Sequence, residues 1–251
     1  MKGDEKSRRI RERIGLTIPV RVRGRDASET EWTEMSRLVD VTPFGARLRL
    51  SRPTEVGRLL YVTMAMPRSM RCFDHVEDQY RVWSLVRNVK LLTPSDKSKA
   101  LIEAGVAFVG KYPPAGFLAD PSRRYEIAKA QTKSGLWAIR ENADQVITEF
   151  SETDKRRATR HTIPIEVTIE VFGGEGDSPV REKTVTENIS RNGAAVLTSL
   201  GLTRGRFVRV TSEQQNCSLV ASVRSSRPGP DGVRRLHLEF VGAEWPLEGI
   251  D

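Results

Sequence analysis

Arginine pairs and short polar motifs hold most of the chemistry this 251-residue chain can offer. Asp40-Val-Thr42-Pro-Phe-Gly45 returns 148 positions later as Asn188-Ile-Ser190-Arg-Asn-Gly193. Each copy is an acid or its amide, then a hydroxyl, then a glycine, and each opens an alternating apolar stretch. An i, i+4 arginine pair stands upstream of each: Arg9 and Arg13 before the first, Arg156 and Arg160, with Arg157 beside them, before the second. Guanidinium forks grip planar anions through paired N–H donors. Amide and hydroxyl side chains add directional hydrogen bonds, and glycine admits tight backbone. This is binding chemistry, and it occurs twice, so the chain reads as a duplicated module.

The combination RxxxR followed by [D/N]x[S/T]xxG resembles the PilZ family, bacterial receptor domains for cyclic di-GMP. Arg156-Arg-Ala-Thr-Arg160 and Asn188-Ile-Ser190-Arg-Asn-Gly193 carry both motifs intact, with 27 residues between them for one strand and its return. The first copy departs in two ways. Thr42 replaces the usual serine, and Ile18-Pro19 lies two residues farther from its arginine than Ile163-Pro164 does. The resemblance implies that Arg156, Arg157 and Arg160 hold phosphates or guanine edges. Asn188 would accept from guanine N1–H and N2–H₂, Ser190 would supply a hydroxyl, and Gly193 would allow a tight turn beneath the ligand. Arg9, Arg13, Asp40, Thr42 and Gly45 form a second, weaker candidate site, where Pro43 removes a backbone donor and Thr42 is stiffer at χ1.

Composition bounds the alternatives. A net charge of +8 suits an anionic partner, whether nucleotide, nucleic acid or membrane surface, and the basic residues gather around the arginine motifs in Lys2 to Arg25 and Lys155 to Arg160. No window reaches the roughly 18 apolar residues of a membrane span, and no apolar core follows the basic start, so a cytoplasmic protein is expected. Cys72 and Cys217 fall in different copies and read as reduced thiols. His75, His161 and His237 are scattered, and no metal or cofactor is expected beyond the nucleotide ligand. Neither GxxxxGK[ST] nor GxSxG occurs, nor a carboxylate pair in a compelling context, which argues against an enzyme.

Behind the motifs, Ile163, Ile165, Val167, Ile169 and Val171 alternate with polar residues, as a half-buried strand does. Short apolar runs at 194–197, 207–210, 219–223 and 236–241, broken by Gly/Pro turns, argue for a small antiparallel barrel. The first copy repeats the order at 18–22, 46–50, 59–64, 80–89 and 106–109, with a hairpin tip at 93–99. With the resemblance, the expected fold is mainly β: two six-stranded antiparallel barrels at 1–117 and 153–251, joined by a helical linker at 118–152. Asp120-Pro121 signals a helix start running through Tyr125, Ile127 and Ala128. Ile139, Ala143, Val146, Ile147 and Phe150 form an apolar stripe that could dock on its own barrel, a second copy or a protein partner.

The first reading is therefore a cyclic di-GMP receptor that transmits a conformational change. One alternative is a degenerate module that docks partners through the linker. The other is a basic nucleic-acid-binding barrel, disfavoured because aromatics make up only 6% and Phe108, Phe207, Phe240 and Trp245 suit core roles. No DNA is expected as a partner.

Overall fold

The computed structural model describes residues 18–27, 30–93, 100–128, 137–142, 160–173, 179–229 and 231–247. The first barrel comprises β1 (Pro19–Ala27), β2 (Thr30–Thr42), β3 (Gly45–Leu50), β4 (Leu59–Met64), β5 (Tyr80–Leu91) and β6 (Ile102–Gly110). The second comprises β9 (Glu166–Val171), β10 (Val180–Ser190), β11 (Gly193–Thr198), β12 (Phe207–Ser212), β13 (Cys217–Pro228) and β14 (Arg234–Phe240). Both are closed and antiparallel, in the orders β1-β2-β3-β6-β5-β4 and β10-β11-β14-β13-β12-β9. Pairing of β1 with β4 and of β9 with β12 completes each ring and removes the free sheet edges.

Period-2 alternation explains the ring. Val20 and Val22 point inward between outward arginines 21 and 23, and Val167, Ile169 and Val171 do the same in β9. Phe108, Phe207, Phe240 and Trp245 are all buried. Each fully buried side chain of this size contributes about 1.5–3 kcal/mol. The two barrels also share their irregularities. Register shifts fall between Leu38 and Asp40 in one and Thr186 and Asn188 in the other, and again between Val86 and Asn88 and between Val223 and Ser225. Such bulges re-aim the residues that follow them.

Where it is described, at 120–128 and 137–142, the linker is not the expected helix. Helix α1 (Ala115–Ala119) ends before Asp120, whose Oδ1 accepts from the Ser122 amide at 3.0 Å and from its hydroxyl at 2.5 Å. Beyond this turn, β7 (Tyr125–Ile127) pairs with β8 (Ile139–Glu141). Tertiary partners outweigh the local start signal. The Tyr125 amide donates to Gly57 O at 2.8 Å, and its ring is buried with Leu59, Leu85 and Phe117 against the outside of the first barrel. Ile139, the first residue of the apolar stripe, lies in β8; Ala143, Val146, Ile147 and Phe150 lie outside the described residues.

Polar and apolar contacts join the barrels. Val89, Leu91 and Leu101 pack with Phe207, Val220 and Val241. Beside them the buried Glu55 carboxylate meets Arg58 at 2.9 Å, Ser222 Oγ at 3.3 Å and Arg124 at 3.8 Å, and pairs closely with Arg224 of the second barrel. Arg58 also donates to Pro121 O at 3.1 Å and Gly205 O at 3.0 Å. Gly205 has φ +87, and an added Cβ there would run into Asp26 O and Ser122. Burial alone would raise the Glu55 carboxyl; Arg224 and Arg58, then Arg124, outweigh it and hold it at about 2. At nearby Asp26 the balance reverses. Burial lifts its carboxyl to about 6 against the pull of Arg206 and Arg58.

Candidate functional site

Chain entry into the second barrel fixes where Arg160 stands. His161 and Ile189 exchange backbone hydrogen bonds at 2.8 and 2.9 Å, pinning the incoming segment to β10. Two residues on, Thr186 Oγ donates to Ile163 O at 2.6 Å and accepts from the Ile165 amide at 2.9 Å. Arg160 therefore sits one residue before an anchor, and its Nη1 reaches Asn188 Oδ1 at 3.5 Å, the outer limit of a hydrogen bond. The bulge before Asn188 leaves that amide on the outer face while Ile189 points into the core.

The rest of the motif builds the hairpin. Ser190 is buried and its hydroxyl donates to Gly193 O at 3.1 Å; Thr42 does the same to Gly45 O at 3.3 Å and accepts from the Phe44 amide at 3.2 Å. Each glycine closes the two-residue turn between its strands. Neither Gly45 nor Gly193 has a left-handed φ; both are first residues of strands. Their hydrogens are needed because an added Cβ would collide with a cross-strand carbonyl, that of Val106 in one barrel and Leu238 in the other.

The two copies differ most in the row of outward residues across four strands. In the first barrel this row runs Asp40, Arg47, Gly105, Asn88; in the second, Asn188, Ala195, His237, Ser225. Arg47 donates through Nε to Asp40 Oδ2 at 2.8 Å, adds a closer contact through Nη2, and reaches Glu103 at 3.0 Å. The motif acid of the first barrel thus holds an internal guanidinium. Phe44 and the linker's Trp137 also line the hollow over Asp40, Thr42 and Gly45. The second barrel has alanine where the first has Arg47, and Asn188 turns to Arg160 instead.

Arg160, Asn188, Ser190 and Gly193 are thus brought to one end of one hairpin, and Asp40, Thr42 and Gly45 to the equivalent end in the first barrel. Arg9, Arg13, Arg156 and Arg157 lie outside the described residues. Sequence reasoning missed Arg47 and His237, since nothing short of strand register aligns them with the motifs. Among the described residues no cluster of three or more His, Cys, Asp or Glu could hold a metal, and no helix is long and apolar enough to cross a membrane.

Residues 154–244, which include the second barrel, match the family model of the PilZ domain. No curated protein matches the chain. Among solved structures, the Bacillus subtilis inhibitor of motility MotI/DgrA is 16% identical, with 92% of this chain and 90% of that one covered and a TM-score of 0.29. PlzA of Borreliella burgdorferi, in complex with c-di-GMP, is 10% identical, with 94% and 90% covered and a TM-score of 0.29. YcgR of Escherichia coli, also in complex with c-di-GMP, is 14% identical, with 89% and 76% covered and a TM-score of 0.29.

Proposed function

We propose that this protein is a non-catalytic receptor for cyclic di-GMP, with its working site on the second barrel. The observation that carries the reading is the convergence of Arg160 on Asn188 within the segment that matches the PilZ model. Arg160 supplies a fork for a phosphodiester or a guanine edge, and Asn188 supplies a carbonyl and an amide for the base. Arg156 and Arg157 precede it by a few residues and complete the cationic clamp. Ser190 and Gly193 act by shaping the hairpin that presents Asn188.

The same row supports a different role for the first barrel. Arg47 neutralises Asp40 from within, so residues 1–117 serve as a structural partner and residues 153–251 as the receptor domain, with 118–152 between them. Ligand closes the 155–160 segment onto the second barrel and changes the surface that the two barrels offer to a protein partner.

Isothermal calorimetry with cyclic di-GMP tests the reading. A charge-assisted hydrogen bond contributes about 1.5–3 kcal/mol, so Arg160→Ala weakens binding about 10- to 150-fold while the barrel stays folded. Unchanged affinity in that variant overturns the assignment. Hydrogen exchange gives a second check: ligand protects residues 150–162, and their indifference to ligand removes the closing segment from the mechanism.

A further inference from the structure

His237 occupies a position in the second barrel that the motifs do not point to. Strand register sets it beside Ala195, which in turn lies beside Asn188, with all three side chains on the outer face. Adjacent strands are about 4.8 Å apart, so Asn188 and His237 flank Ala195 like two walls about 10 Å from each other. Ala195 is fully buried although it faces outward, so its neighbours lean over it. A planar base or a phosphodiester laid over these covering side chains reaches from Asn188 to His237. In the first barrel the same position is Gly105, overlaid by the Asn88 amide, which accepts from the Gly105 N–H at 3.2 Å. The imidazole therefore belongs to the second copy alone.

Charge around His237 is mostly positive. Arg160 approaches from the segment before β9 and Arg227 from β13. Glu187 of β10 is held by Arg235 at 3.0 Å. Glu239, two residues along β14, is held by Arg224 at 2.6 Å and Arg124 at 3.5 Å. β11 adds no charge beside it, and the other histidine described in this barrel is His161, at the anchor on β10. Resting on the reading of this face as the cyclic di-GMP site, we propose that His237 is a further ligand-contacting residue that takes up a proton when the dinucleotide binds, keeps it on the ring, and with it donates a hydrogen bond to an acceptor oxygen of the ligand.

The physical reason is a conditional charge. Without ligand, burial first, then Arg160 and Arg227, disfavour the imidazolium, and Glu187 only partly offsets them. A dianion placed beside the same two arginines reverses the sign of the surroundings of the ring and favours the proton. The bound form therefore has the higher imidazole pKa. Affinity rises as pH falls through the interval between the bound and free values and levels off outside it, by about tenfold for each pH unit that separates them. Neither the guanines nor the phosphodiesters of the ligand titrate in the histidine range, so they do not imitate the effect.

The test is calorimetric titration of the full chain with cyclic di-GMP from about pH 5.5 to about pH 8, in buffers of differing ionisation enthalpy so that protons taken up are counted. The native chain binds more tightly at the lower pH, with fractional proton uptake in the middle of the range; His237→Gln binds with neither slope nor uptake, and His161→Gln retains both. A slope that persists in His237→Gln, or a native chain whose binding ignores pH, overturns the role of His237 while leaving the receptor intact. No binding heat from the native chain at any pH removes the receptor reading itself, and the inference with it.

Discussion

Glu55→Gln removes a single charge from the contact between the barrels and leaves its shape. The Glu55 and Arg58 side chains are 4% and 2% exposed, so solvent cannot replace the lost partner. Arg58 keeps two carbonyls and Arg224 keeps Glu239, but their positive charges lose the carboxylate they shared. Breaking one side of a buried ion pair costs about 3–5 kcal/mol. The fall of the Glu55 carboxyl from 4.5 to about 2 leads independently to about 3 kcal/mol. For a chain of this size each kcal/mol moves the melting midpoint by about 2–4 °C, so the variant melts about 6–20 °C lower by scanning calorimetry at neutral pH. The sign of the pH dependence follows from the depressed pKa. The contribution is whole above the unfolded value near 4.5 and disappears as pH falls towards 2, so native and variant curves converge on acidification. A neutral-pH midpoint within about 2 °C of the native chain would falsify the account of Glu55 as a stabilising joint.

Asp26 should respond in the opposite sense. Its carboxyl is raised to about 6 from 3.8, so its charge costs about 3 kcal/mol at neutral pH, a cost relieved as pH falls from about 6 to about 4. Asp26→Asn therefore raises the thermal midpoint at pH 8 and changes it little near pH 4; a variant less stable at pH 8 contradicts the burial argument. Gly193→Ala costs about 1–3 kcal/mol in urea unfolding because the new methyl meets Leu238 O, whereas Gly201→Ala, with nothing within 4 Å, is close to neutral. Equal effects at the two glycines would sink the steric explanation. Asp40→Ala leaves cyclic di-GMP affinity and stoichiometry as they were, since Arg47 already occupies that acid; loss of a binding equivalent in the titration would make the first barrel a second site.

Much of the fold was legible before any coordinates. Alternation in Ile163 to Val171, the recurrence of Asp40-x-Thr42 as Asn188-x-Ser190, and turn residues between short apolar runs pointed to two small antiparallel barrels, because a two-residue period is a local property that burial on one face enforces; the count of six strands in each came with the family resemblance. The start of the linker was misread for the converse reason. Asp120-Pro121 is a sound local helix signal, yet Tyr125 finds an apolar patch on a barrel wall and the carbonyl of Gly57, more than 60 residues upstream in the chain.

The duplicated motif, its arginines and the resemblance they carry belong to the sequence itself, because residue type and short spacing need no third dimension. Tertiary structure decided what each copy can do with them. Register across β2, β3, β5 and β6 sets Arg47 upon Asp40, while the same register in the second barrel sets Ala195 and His237 beside Asn188. Side chains more than 40 residues apart in the second barrel become neighbours only once the strands have paired, so a change of partner across the sheet can turn one copy inward on itself and leave the other facing a ligand.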